Sequence, residues 1–373
     1  MSFHENHLKQ KLARFSWDRI HIDPILFIGL LALSCLGIFI LYSASNQSMV
    51  MVKNEALRLG LGFTVMLVFA QISPKRYQDL APWVFGLGLI LLILVLAVGQ
   101  VDNGARRWLS LGFMRFQPSE IMKLAMPMMI AWYLNDKILP PTKKTLLICS
   151  LILLVPVLVT AKQPDLGTAI VIACSGIFVI LLAGISWRLI LGLGTLLALI
   201  TPLLWHFLHS YQKERILTLF NPERDPLGAG YHIIQSKIAI GSGGLLGKGW
   251  LNGTQAHLKF LPEHTTDFIF AVTAEELGFI GSVILILIFL GILSRCLYIS
   301  SQAQNTFTRL LTGSLSLTFF LSAFFNIGMV IGLLPVVGIP LPFISFGGTS
   351  IVSLMAGFGI IMSVHTHKKL LSS

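Results

Sequence analysis

The residues best placed to do chemistry lie where polar groups meet long apolar runs. Asp267 follows Leu261-Pro262-Glu263-His264-Thr265-Thr266 and opens onto Phe268-Ile269-Phe270-Ala271-Val272. A carboxylate at such an edge is partly desolvated, which raises its pKa toward the range of a useful general base. The plainer alternative is an anion at a helix N-terminus, favoured by the helix dipole. Pro262 suits a first helical turn, and Glu263, four residues before Asp267, shares its helix face if the helix begins early enough. In Gln117-Pro118-Ser119-Glu120-Ile121-Met122-Lys123, Glu120 and Lys123 are three apart and neutralise each other on one face. They form either a structural ion pair or a pair turned toward a polar cavity. Arg106 and Arg107 offer two guanidiniums that suit phosphate oxygens, or equally lipid headgroups. Asp165, in Gln163-Pro164-Asp165-Leu166-Gly167-Thr168, is placed to cap a helix.

Other patterns are weaker. Gly241-Ser242-Gly243-Gly244-Leu245-Leu246-Gly247-Lys248-Gly249 resembles a phosphate-cradling loop but fails the Walker A pattern. Ser242 stands where its first glycine belongs, and Gly249 where its Ser or Thr belongs. It reads as a bend between interfacial elements, or as backbone N–H groups and Lys248 facing a diphosphate. Cys35, Cys149, Cys174 and Cys296 are scattered through apolar runs and read as packing residues. The histidines form no set with carboxylates that would build a zinc site, and no nucleophile triad is evident. Glu275 and Glu276 lie deeper in the run that follows Asp267, where pairing with another helix is the expected reading.

The elements that hold these groups must cross a bilayer. Only 12% of the 373 residues are Asp, Glu, Lys or Arg, and 55% are hydrophobic, far from soluble proportions. Ten runs reach the ~20-residue length of a crossing, at 25–44, 55–73, 80–99, 119–136, 145–162, 166–184, 188–209, 267–299, 307–333 and 343–365. The expectation is an all-α polytopic membrane protein with both termini on one side. With that side cytoplasmic, inner segments hold fourteen Lys and Arg against six in the short outer segments, or twelve once 210–266 is counted. Residues 1–24 then form a cytoplasmic segment, too polar for a cleavable signal. Residues 210–266 form one large outer loop with interfacial helices between crossings seven and eight, within a single 1–373 membrane domain. The net charge of +11 lacks basic–aromatic interleaving, so membrane lipid or an anionic substrate fits better than nucleic acid.

Several long strings resemble the SEDS membrane proteins (shape, elongation, division and sporulation) of bacterial cell-wall synthesis. They are Arg107-Trp108-Leu109 with Phe116 to Glu120, Gln163 to Thr168, Asp225-Pro226-Leu227-Gly228-Ala229-Gly230-Tyr231, Leu261-Pro262-Glu263 with Thr266 to Phe270, and Gly338 to Phe343 with Gly347-Gly348-Thr349-Ser350. Lys237 to Gly244, Gly247 to Trp250 and Gly253-Thr254-Gln255 are similar to the RodA branch.

The resemblance implies a peptidoglycan glycosyltransferase of the inner membrane that polymerises lipid II on the outer face for elongation and rod shape. It also implies a class B penicillin-binding protein as partner within the rod-shape complex. It puts the essential carboxylate on Asp267, the acid and base of the fourth crossing on Glu120 and Lys123, and Gln255 and Glu263 among the substrate contacts. His264 stands one place before the family's usual histidine, about 100° away around a helix, so its role does not carry over. Asp267 would accept the proton of the attacking sugar hydroxyl. Arg106, Arg107, Lys248 or a divalent cation (Mg2+ or Mn2+) would stabilise the departing diphosphate, with no covalently bound cofactor. Two competing readings are a lipid-linked precursor transporter and a non-catalytic scaffold.

Overall fold

In this computed structural model the described residues are 20–102, 105–110, 115–186, a few positions within 191–206, 210–224, 228–257 and 263–367. Helices occupy nine of the ten predicted crossings: α1 Pro24–Ala44, α2 Met49–Gln71, α3 Pro74–Val98, α4 Pro118–Asn135, α5 Lys143–Lys162 and α6 Leu166–Leu182 precede the large loop. After it come α10 Ile269–Ser301, α11 Thr306–Val330 and α12 Thr349–Thr366. The remaining run, 188–209, and the segment 1–19 lie almost wholly outside the described residues. Six of the helices are long and apolar enough to cross a membrane by composition alone. Of the other three, α2 and α4 carry charged residues and α6 is 17 residues long. The bundle exposes apolar side chains such as Ile28, Leu57, Ile90 and Leu287 outward, as a lipid-facing surface does.

Local chemistry sets the helix starts. Pro24, Pro74 and Pro118 occupy first positions, where a missing N–H is harmless. Asp23, Thr142 and Asp165 cap α1, α5 and α6 by accepting from the N–H groups of Leu26, Thr145 and Thr168. Two short antiparallel pairings stand in the outer segment between α3 and α4: β1 Gln100–Asp102 with β2 Ala105–Ser110, and β2 with β3 Arg115–Phe116. The sequence gives no alternation long enough to signal them. Within the large loop lie α7 Ser210–Phe220, α8 Ala229–Gly243 and the short α9 Thr254–His257.

The glycine-rich stretch does something other than face a diphosphate. Helix α10 breaks at Gly278 (φ 68°, ψ −164°), and segment 244–249 docks into the break. The N–H groups of Lys248 and Gly249 donate to the carbonyls of Glu275 and Glu276, while those of Phe279 and Ile280 donate to Gly244 and Leu245. A Cβ on Gly247 would overlap the Glu276 carbonyl oxygen, and one on Gly278 would overlap the Gly247 nitrogen. Glycine is needed there because two backbones touch. Inside the staple, the fully buried Glu275 carboxylate accepts from Lys248 Nζ (2.7 Å) and from Thr254 N (2.9 Å). Glu276 accepts from Ser43 Oγ of α1 (2.5 Å), the helix partner expected for one of this pair.

Because only glycine readily adopts the Gly278 conformation, Gly278→Ala should cost about 1–3 kcal/mol from backbone strain alone. The loss should appear as a lower unfolding midpoint in detergent, whereas Gly60→Ala, with open space around its position inside α2, should leave the midpoint unchanged or raise it.

Candidate active site

The site is built on the turn 263–268, which precedes α10. Glu263 has φ 53°, and its carbonyl accepts from the N–H groups of Thr266 and Phe268 (3.1 Å each). The helix therefore starts too late for Glu263 and Asp267 to share a helical face. The left-handed turn brings both to the same cavity instead. Two neighbouring elements tether the turn. Asn326, fully buried on α11, donates from Nδ2 to the carbonyls of Asp267 and Ile339, both at 2.8 Å. Ser345 Oγ donates to the Thr266 carbonyl (2.6 Å), and the Phe346 N–H donates to Thr265 O (2.8 Å).

A cavity of about 420 Å³ opens beside this turn, within the size range of small-ligand sites. Arg107 and Trp108 of β2, Glu120 and Lys123 of α4, and Asp165 and Thr168 of α6 line it. Glu263, Thr266 and Asp267 add the turn, with 338–340 and 346–350 closing the wall. The helix ends that meet there are all outer ends under the orientation with both termini cytoplasmic.

The charges divide into paired and poised groups. Glu120 Oε1 lies 2.7 Å from Lys123 Nζ, and Ser353 Oγ of α12 donates to Glu120 Oε2 at 2.5 Å. Asp165 caps α6, accepts from Gln117 Nε2 (3.2 Å) and stands 4.0 Å from Arg107 Nε. Asp267 is different. Burial raises its pKa to about 6, the neighbouring Glu263 carboxylate pushes the same way, and Arg215 and Arg107 partly offset both. On the far side of the wall, Arg58 of α2 donates to the Gly347 carbonyl (3.2 Å), stacks over the Phe346 ring (4.4 Å) and lies 3.4 Å from the buried Glu55.

The structure thus gathers Asp267, Glu263, Glu120, Lys123, Arg107 and Asp165 around one cavity. It does not bring Lys248 or Gln255 there. Lys248 Nζ is held by Glu275 and by Thr254 Oγ1 (2.8 Å), and the Gln255 N–H donates to Glu275. A cation committed to a fully buried carboxylate is not available to a diphosphate. His264 is half-buried beside Glu263 and is not among the described residues that line the cavity. The Arg106 side chain lies outside what is described. Sequence reasoning passed over Arg215, Asn326, Ser345 and Ser353. Among the described residues no three His, Cys, Asp or Glu side chains converge as metal ligands.

Comparison with known proteins agrees over nearly the whole chain. Residues 18–370 match the FtsW/RodA/SpoVE family, described as cell cycle proteins. The peptidoglycan glycosyltransferase MrdB of Escherichia coli K12 is 52% identical over 357 residues, covering 95% of this chain and 96% of that one. A probable peptidoglycan glycosyltransferase FtsW of Geobacter sulfurreducens is 35% identical, covering 93% and 96%. A chain from a peptidoglycan synthase complex, solved for its structural coordination of polymerization and crosslinking, superposes with TM-score 0.81 at 34% identity, covering 92% and 97%. The rod shape determining protein RodA of Thermus thermophilus superposes with TM-score 0.70 at 29% identity, covering 93% and 98%.

The Asp267 environment predicts two opposite titration shifts. Glu263→Gln removes an adjacent negative charge and should lower the Asp267 pKa from about 6, and Arg107→Gln removes a positive one and should raise it. Infrared difference spectra of the carboxyl band across pH, assigned with Asp267→Asn, should show both.

Proposed function

The chain belongs to the FtsW/RodA/SpoVE family, and from that premise we propose that it is a peptidoglycan glycosyltransferase. It joins lipid II units into glycan strands on the outer face of the cytoplasmic membrane, releasing polyprenyl diphosphate. It does so with a class B penicillin-binding protein as its transpeptidase partner, in the machinery of rod shape. The observation that carries this reading is the Asp267 carboxylate, poised with a pKa of about 6 on a cavity that also holds guanidinium and ammonium groups.

The chemistry needs few protein groups. The 4-hydroxyl oxygen of one sugar attacks C1 of the other. The C1–O bond to diphosphate breaks, and the hydroxyl proton passes to Asp267. A base with a pKa near 6 is ionised at neutral pH yet still accepts a proton as the hydroxyl becomes acidic in the transition state. Diphosphate leaves without protonation, so the protein supplies positive charge and not an acid. Arg107 lines the cavity, and the charge of Arg215 also reaches Asp267, which makes these two the candidates for the leaving group. Lys123, held by Glu120, keeps one ammonium fixed in the wall without adding net charge. Inversion from an α-linked donor to a β-linked product needs one displacement, so Asp267 serves as base and not as nucleophile.

Asn326 and Ser345 act through the backbone on either side of the base. Asn326→Asp would replace a donor facing two carbonyls by an acceptor, and is expected to reduce turnover more than Asn326→Ala.

The deciding experiment supplies the purified chain and its partner with lipid II in detergent while transpeptidation is blocked. Glycan strands are expected, and Asp267→Asn should reduce their formation about 10²–10⁴-fold with the protein still folded. Activity should rise with pH through about 6, where Asp267 loses its proton, and level off above it. Full polymerisation by Asp267→Asn would remove the base from this carboxylate, and no polymer from the wild-type pair would favour a transporter or a scaffold.

A further inference from the structure

A second cavity, of about 560 Å³, lies at the opposite end of the bundle. It is enclosed by the connection between α4 and α5, the end of α6 and the beginning of α11. With both termini cytoplasmic, these are inner ends, so the cavity sits at the cytoplasmic leaflet. Its walls are of two kinds. Leu139, Leu146, Leu182 and Ile185 make it largely apolar, while Lys143 and Arg309 place two cations on it. Among the described residues no Asp or Glu lines it.

The placement of those cations is unfavourable for the protein alone. Lys143 is the first residue of α5 and Arg309 lies in the first turn of α11, where the helix dipole presents positive charge and carboxylates are favoured. Neither first turn contains an acidic residue. Thr142 accepts the Thr145 N–H, Asn305 with Thr308 forms a capping box, and Asn135 Oδ1 at the end of α4 accepts the Phe307 N–H, so each helix end is ordered and neither is capped directly by a carboxylate. Two helix N-termini and two cations border one apolar-walled cavity, with the C-terminal end of α6 opposing them in part, and a ligand that carries both an anion and a hydrocarbon chain complements that lining.

We propose that this cavity binds a phospholipid with an anionic headgroup from the cytoplasmic leaflet. Its phosphate lies between Lys143 and Arg309, and an acyl chain follows Leu146, Leu182 and Ile185. Basic pockets between helices on the cytoplasmic side are suited to such headgroups. This site is separate from the outer cavity and independent of the reaction proposed there.

Charge alone does not select this place. Lys75 and Arg76 also open a helix, α3, at the same face, but they line neither this cavity nor the outer one. They provide a matched control.

The test is native mass spectrometry of the full chain titrated with dioleoyl phosphatidylglycerol, dioleoyl phosphatidylcholine or inorganic phosphate. Saturable binding of phosphatidylglycerol in preference to phosphatidylcholine is expected. Lys143→Gln with Arg309→Gln should weaken it roughly 10- to 30-fold, while Lys75→Gln with Arg76→Gln, equal in charge lost, should not. Ser186→Trp, which fills the cavity and leaves both cations in place, should also weaken it and covers the case in which the double variant misfolds. Equal loss in the two charge pairs, no preference for the anionic lipid, or inorganic phosphate bound as tightly would overturn the assignment.

Discussion

The outer site depends on a carboxylate kept partly out of water. An ionised Asp beside an apolar run is costly, and among the described residues no tight ion pair quenches its basicity. Asn326 and Ser345 fix the turn through the Asp267 and Thr266 carbonyls, so the side chain is positioned by its backbone. Arg107 and Arg215 act on it through their fields. A carboxylate locked to an arginine would be fully ionised and a poor proton acceptor. One with no cation nearby would hold its proton more tightly. The balance between burial, Glu263 and two guanidiniums places Asp267 between these limits.

Three other buried acids show the contrast. Glu275 is surrounded by donors from Lys248, Thr254 and Gln255, Glu120 by Lys123 and Ser353, and Asp23 by Arg295 and the Leu26 N–H. Each fastens elements together: Glu275 holds the loop to α10, Glu120 ties α4 to α12, and Asp23 ties α1 to α10. Buried charges with complete partner sets specify one arrangement of the helices, because any slip leaves an ion unpaired in a medium that cannot solvate it. The Gly278 break serves the same end, allowing backbone of the large loop to complete hydrogen bonds inside the bundle.

What was legible in the sequence was whatever depends on near neighbours or on run length. Crossing lengths follow from hydrophobic thickness. The Glu120–Lys123 pair follows from helical spacing, and the Asp165 cap from one turn of chain. The Lys248–Glu275 pair is 27 residues apart and was not legible, because the staple that joins them exists only once α10 is broken. The same stretch leaves both a bend and a diphosphate contact open in the sequence, because glycine clusters signal close backbone approach without saying what approaches. Asn326 was hidden because one amide among serines and phenylalanines resembles ordinary helix packing. Arg215 was hidden because a basic residue in a charge-rich outer helix carries no distinguishing pattern. Glu263 and Asp267 were correctly grouped by spacing but on the wrong structure, since the left-handed Glu263 makes a turn where a helix was expected.

The two ends of the molecule use cations for different purposes. At the outer end, Arg107 and Lys123 share the cavity with the carboxylates of Glu120, Asp165, Glu263 and Asp267, so its cations are already opposed by protein charge. Such a site gains most from charge that develops on a leaving group, because its donors are already oriented before the reaction begins. At the inner end Lys143 and Arg309 have no carboxylate among the described cavity residues, and the N-termini of α5 and α11 add to them while the C-terminal end of α6 offsets part of that charge. That arrangement favours a permanent anion over a transient one. Between the two ends, Phe319, Phe343 and Phe358 pack against one another with centroids 5.0–6.1 Å apart. This aromatic cluster lies beneath the outer site and lines a smaller, largely apolar cavity that shares Lys123, Ser322 and Ser350 with it. An apolar lining of that kind is unfavourable to a charged headgroup, which suits a reaction carried out at the rim of the bilayer better than passage through it.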